Sequence, residues 1–121
     1  MKLWIRIAGV LGFLGVALGA FGAHALKATF SGDQTQVYQT AVHYQLVHCL
    51  ALLAYGVWAE NKSVSAWPAW CFAGGIVVFS GSLYLLALTQ IKWLGAITPM
   101  GGVMFLLGWI GLFVQAGSAK T

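Results

Sequence analysis

The eight charged residues of this chain fall almost entirely into the gaps between four long uncharged runs, Ile7 to Leu26, Thr40 to Ala59, Trp67 to Leu88 and Trp93 to Val114. A helix rises about 1.5 Å per residue, so a run of about 20 residues covers a hydrocarbon core of roughly 30 Å. Only 7% of residues are charged and 60% are hydrophobic, which leaves too little polar surface to coat a water-soluble domain. The pattern predicts an all-α integral membrane bundle of four transmembrane helices, in up-down topology with short loops. Spans are expected at about 5–26, 38–59, 67–89 and 94–115, within one domain covering 1–121.

A formal net charge of +4 on a soluble protein would suggest nucleic acid. Here the cations are scattered along the chain and form no basic stripe, so no nucleic-acid partner is expected. They read instead as topology signals. Lys2, Arg6, Lys62 and Lys120 fall on one side of a four-span chain, and Lys27 and Lys92 on the other, which favours both termini in the cytoplasm. Trp4, Trp58, Trp67 and Trp70 fall at that inner boundary and Trp93 at the outer one, where indole rings settle among headgroups, while Trp109 is expected to pack deeper. The first run, with Ala23-His24-Ala25 at its end, imitates a secretory signal, but Ile7 to Ala23 exceeds the usual apolar core of about 7–15 residues, so it is read as a retained span.

Small residues mark the expected packing surfaces. Gly9, Gly12, Gly15, Gly19 and Gly22 recur at three or four residues along the first helix, and Gly74 with Gly81 and Gly101 with Gly108 repeat the theme at a spacing of seven. In lipid such stripes allow close backbone approach, and intramolecular packing is the simpler reading than a dimer seam.

Polar residues concentrate on the second helix. Ser31 with Gln34 has capping-box form, and Asp33 suits the positive end of the helix dipole. At 100° per residue Ala41, Tyr44, Gln45, His48, Leu52 and Tyr55 share a face expected to look into the bundle, with Gln36, Gln39 and His43 opposite. Antiparallel threading brings His24 and His43 to one depth, with Tyr84 and Thr98 near them, so His24, His43, Tyr44, Gln45, His48, Tyr84 and Thr98 form the candidate polar cluster. Thr98-Pro99 reads as an N-cap followed by a first-turn proline, with Leu94 to Ile97 as a broken entry, and Pro68 opens the third helix in the same way.

The segments Gly19-Ala20-Phe21-Gly22-Ala23-His24-Ala25-Leu26, Ala41-Val42-His43-Tyr44-Gln45-Leu46-Val47-His48, Gly81-Ser82-Leu83-Tyr84-Leu85-Leu86-Ala87-Leu88-Thr89, Leu94-Gly95-Ala96-Ile97-Thr98-Pro99-Met100-Gly101-Gly102 and Gly108-Trp109 resemble the domain-of-unknown-function 423 family. That family is similar in turn to eukaryotic transmembrane protein 256. The resemblance covers essentially the whole chain and implies a small four-span protein of the bacterial inner membrane without an established activity.

Three functions fit these residues. The first is a structural or accessory membrane component whose polar side chains join helices, with the lipid bilayer and a membrane-protein partner or second copy around it. The second is a carrier or channel for a small solute or proton that uses a titrating histidine. Against it, Asp33 and Glu60 lie in loops and no acid lies inside a span. The third is haem or metal binding by His24 with His43 or His48, but His43 and His48 are five residues apart on one helix and point about 140° apart, so no cofactor or metal is expected. No Ser-His-Asp arrangement, paired carboxylates or phosphate loop is visible, so no catalytic residue is assigned. Ser80 and Ser82 are read as packing residues, and Cys49 and Cys71 as free, buried and inert.

Overall fold

The structure, a computed structural model, describes residues 1–118, so Lys120 and its part in the charge balance lie outside the described residues. Four helical spans thread back and forth, each long and apolar enough to cross a bilayer. The first is α1, Lys2–Phe21, continued by a π-helical turn over Gly22–Leu26, and the second is α2, Gly32–Ala59. The third joins α3, Trp67–Gly75, through a π-helical turn at Ile76–Ser80 to α4, Gly81–Thr89. A 3-10 segment, Lys92–Ala96, leads into the fourth, α5, Thr98–Ser118.

Local chemistry sets the ends. Ser31 Oγ accepts from the Gln34 N–H at 3.2 Å while Gln34 Oε1 accepts from the Ser31 N–H at 3.0 Å, a complete capping box, with Asp33 in the first turn of α2. Pro68 sits in the first turn of α3, where its missing N–H is not needed. Thr98 departs from expectation. It is the first residue of α5 rather than its cap, and its hydroxyl pairs sideways with Ser82 Oγ at 2.6 Å. The third span is not one regular helix either, because the π turn takes up an extra residue in mid-membrane.

The spans form a row rather than a closed square: α1 packs chiefly on α2, α2 also packs on the third span, and the third span carries α5. The central members bury 44% and 39% of their most apolar stretch, against 17% for α1 and 22% for the last span. Along α2 the buried residues Tyr38, Ala41, Gln45, His48, Leu52, Tyr55 and Ala59 follow an unbroken alternation of three and four, the seam of left-handed helix packing. Tyr44, assigned to this face from sequence, is instead 39% exposed.

Glycines bring the helix backbones together. A side chain at Gly15 would meet Leu46, at Gly19 Val42, at Gly22 Tyr38 and at Gly12 Cys49, so the α1 stripe lies against α2, and only Gly9 of that series meets nothing. Gly74 lies against Met104, Gly101 against the Phe79 backbone and Gly108 against the Phe72 ring. Gly81 is a correction: no neighbour comes close to it, so it is not a packing glycine.

The core changes character along the membrane axis. Toward the end that holds Met1, Trp4, Ala8, Leu52, Tyr55, Ala69 and Phe72 make an apolar cluster. Trp4 is 6% exposed and meets Trp70 edge-on at 4.9 Å, so it packs into this core. Cys49 is buried, Cys71 only half-buried, and both are free. Beyond Cys49, Ile76 and Phe105 the core turns polar.

Candidate functional site

Helix α2 supplies the centre of the polar half because its seam puts Tyr38, Gln45 and His48 toward neighbouring helices. A side-chain amide in hydrocarbon forfeits several kcal/mol for unmet hydrogen bonds, so it must find partners across the helix interface. Gln45 Nε2 donates to the Leu11 carbonyl of α1 at 2.8 Å, and Gln45 Oε1 accepts from the Tyr84 hydroxyl of α4 at 2.6 Å. One residue of α2 thereby ties the spans on both sides of it. Tyr38 donates to the Leu18 carbonyl of α1, and its ring meets that of Tyr84 at 5.3 Å.

Ser80, wholly buried, donates to the Ala41 carbonyl at 2.7 Å. Ser82, Thr98 and the Phe79 carbonyl form a further link between the third span and α5. Both serines are thus polar fasteners and not only small packing residues, a role that sequence spacing did not show.

His48 has a fixed protonation pattern. The indole Nε1 of Trp109 can only donate, and it lies 3.0 Å from His48 Nε2, which must therefore accept. The ring proton is then on Nδ1, which donates to the Tyr44 carbonyl at 2.9 Å. Both nitrogens are occupied, and neither lone pair is free for a metal. The ring is clamped as well, stacked on Phe105 at 3.6 Å between planes 9° apart. Trp109 reaches this bond from the middle of α5, with its side chain 43% exposed.

The candidate cluster read from sequence is therefore divided. Gln45 and Tyr84 meet directly, and His48 sits one turn along α2 with Trp109 and Phe105. Thr98 joins Ser82 instead of the histidines. His24, on the π turn after α1, and His43, on the outer face of α2, are exposed and make no side-chain hydrogen bond among the described residues. Beside His43 lies a small cavity of about 180 Å³ walled by Gly19, Gly22, Tyr38 and Val42. Among the described residues no three His, Cys, Asp or Glu side chains converge as a metal set. Sequence reasoning missed Tyr38, Ser80, Phe105 and Trp109. For Tyr38 the signal was present, since continuing the three-four spacing of α2 back from Ala41 reaches it.

Four apolar helices, joined to one another by side-chain hydrogen bonds, define an integral membrane protein of the multi-span helical class. A family model described as protein of unknown function (DUF423) matches residues 18–102, and the chain belongs to that family. It is similar to a UPF0382 membrane protein of Staphylococcus aureus (strain bovine RF122 / ET3-1), 47% identical over 115 residues and 94% of each chain. A UPF0382 membrane protein of Staphylococcus haemolyticus is 45% identical over 95% of each chain. UPF0382 membrane protein YwdK of Bacillus subtilis is 43% identical over 119 residues, 96% of this chain and 97% of its own. None of these names states an enzymatic activity, and no solved structure matches the chain.

Proposed function

We propose that this chain is a structural or accessory component of the bacterial inner membrane, with both termini on the cytoplasmic side, acting through lipid and through a membrane-protein partner or second copy rather than by catalysis. The observation that carries the reading is the use of its buried polar groups: Gln45, His48, Ser80, Ser82 and Tyr84 each make at least one hydrogen bond to a neighbouring helix. A carrier needs a polar group free to exchange a proton or solute, and the buried imidazole of His48 is held by partners at both nitrogens. The orientation rests on Lys2, Arg6 and Lys62 at the end that holds Met1, against Lys27 and Lys92 at the other.

Reconstituted into liposomes, the protein is expected to pass protons and small solutes no faster than protein-free vesicles. A flux that His48→Leu abolishes would overturn the accessory reading. For orientation, Ser118→Cys is expected to resist membrane-impermeant thiol reagents in intact cells, and labelling from outside would reverse the assignment.

A further inference from the structure

We infer that α1 carries a binding site for one phospholipid of net negative headgroup, at the end of the helix that holds Met1. The inference requires only that the chain lies in a bilayer, and it stands or falls apart from the accessory reading. Three described cations mark that end, Lys2, Arg6 and Lys62. Lys62 is spent within the protein: its ammonium donates to the Trp58 carbonyl at 2.7 Å and lies over the Trp58 ring. Lys2 and Arg6 are exposed, make no side-chain hydrogen bond or ion pair among the described residues, and have no acid beside them in the first turn of α1.

Four residues apart on one helix, the two cations stand about 40° apart around its axis, one above the other. Like charges so placed repel and weaken the helix. The bias of cations toward one side of a membrane accounts for their presence at this end, but not for their stacking on one face. An anion held between them removes the repulsion, and the guanidinium offers paired donors to phosphate oxygens. A second copy of the chain brings little to neutralise them, because its only acidic side chain at this end is Glu60, with one carboxylate oxygen buried in its own chain. The apolar lining continues the site in the direction a lipid tail takes. A concavity of about 430 Å³ runs along α1 from Leu3 and Arg6 to Ile7, Val10 and Leu11. Ile7 and Leu11 pack against the core on one side of it, while Leu3 and Val10 are 63% and 60% exposed. Val10 and Leu11 lie about 6–8 Å beyond Arg6 toward the middle of the membrane. The site is thus cationic at the headgroup level and apolar below it, the polarity of a phospholipid.

The test is native mass spectrometry of the whole protein in mild detergent, titrated with dioleoyl phosphatidylglycerol and, separately, with dioleoyl phosphatidylcholine, which has the same tails and no net charge. One phosphatidylglycerol is expected to bind before further copies add, and more tightly than phosphatidylcholine. Attraction to anionic lipid is about 1 kcal/mol for each cation, so Lys2→Gln with Arg6→Gln is expected to lower that affinity about thirtyfold and to erase the preference. Lys27→Gln with Lys92→Gln removes the same charge from the other end and is expected to leave both unchanged. Dihexanoyl phosphatidylglycerol, the same headgroup on short tails, is expected to bind more weakly than the dioleoyl lipid. Equal affinity for the two headgroups, an equal loss from the Lys27 and Lys92 variant, or equal affinity for the two tail lengths overturns the proposal. A dimer that takes up no lipid overturns it too. Should the Lys2 and Arg6 variant fail to fold, the headgroup and tail-length comparisons decide alone.

Discussion

Alanine at Gly101 is the sharpest test of how the third span and α5 are held together. Its new Cβ would lie 2.3 Å from the Phe79 amide nitrogen and 2.6 Å from the Phe79 Cα, against about 3.4 Å for an ordinary contact. The obstacle is backbone, so no rotamer change relieves it, and the two helices must part by about 1 Å locally. Overpacking of this kind costs about 1–3 kcal/mol. The helical preference for alanine over glycine returns about 0.5–1 kcal/mol, so a net loss of about 1–2 kcal/mol is expected. Two neighbours serve as controls. Gly102→Ala meets only the Phe79 ring at 3.9 Å, and Gly81→Ala meets nothing, so both are expected to be neutral or mildly stabilising. The assay is reversible unfolding in mixed micelles followed by far-ultraviolet circular dichroism. Wild-type stability for Gly101→Ala, or the same loss in all three variants, would refute the close-approach reading.

Removing the His48 to Trp109 bond by His48→Leu and Trp109→Phe, singly and together, should show a coupling of about 0.6 kcal/mol, with about 1.7 as the upper end for such bonds in membranes, and zero coupling in the double-mutant cycle would deny the bond. Gln45→Leu strands the Tyr84 hydroxyl and frees the Leu11 carbonyl, so it should destabilise more than Ser80→Ala, and the reverse order in the same unfolding assay would contradict the central place given to Gln45. Ser31→Ala opens the capping box and should cost about 1 kcal/mol, read as faster amide hydrogen exchange in the first turn of α2 and not elsewhere.

The gross fold was legible because it rests on a one-dimensional property, the spacing of charges along the chain, which gives four spans without any knowledge of contacts. The capping box at Ser31 and Gln34 was equally local. What was hidden depends on rotation about helix axes. Tyr44 lies only 100° from Gln45, and a face drawn by eye takes in both, whereas the seam that emerges when the three-four spacing is followed through Tyr38, Ala41, Gln45 and His48 excludes it. Thr98 was misassigned because a threonine before proline has cap chemistry on paper, while the partner that decides its role, Ser82, is 16 residues away in sequence. Pairing the histidines by depth failed for the same reason. Depth follows from counting residues, but whether His24 and His43 turn inward does not, and both face out.

The π turn at Ile76–Ser80 has a consequence for changes in chain length. Buried positions in the third span run Ala69, Phe72, Ile76, Ser80, Leu83 and Ala87, and the two successive steps of four that meet at Ile76, where a regular seam alternates three and four, mark the extra residue. Elsewhere in a packed helix, loss of one residue swings everything beyond it through about 100° and ruins the interface. Here a surplus residue is already stored, and deleting exposed Val77 would let the turn tighten to an ordinary α-helix with α4 still packed on α2. This short stretch is thus where descendants of the chain can gain or shed a residue in mid-membrane and keep their shape.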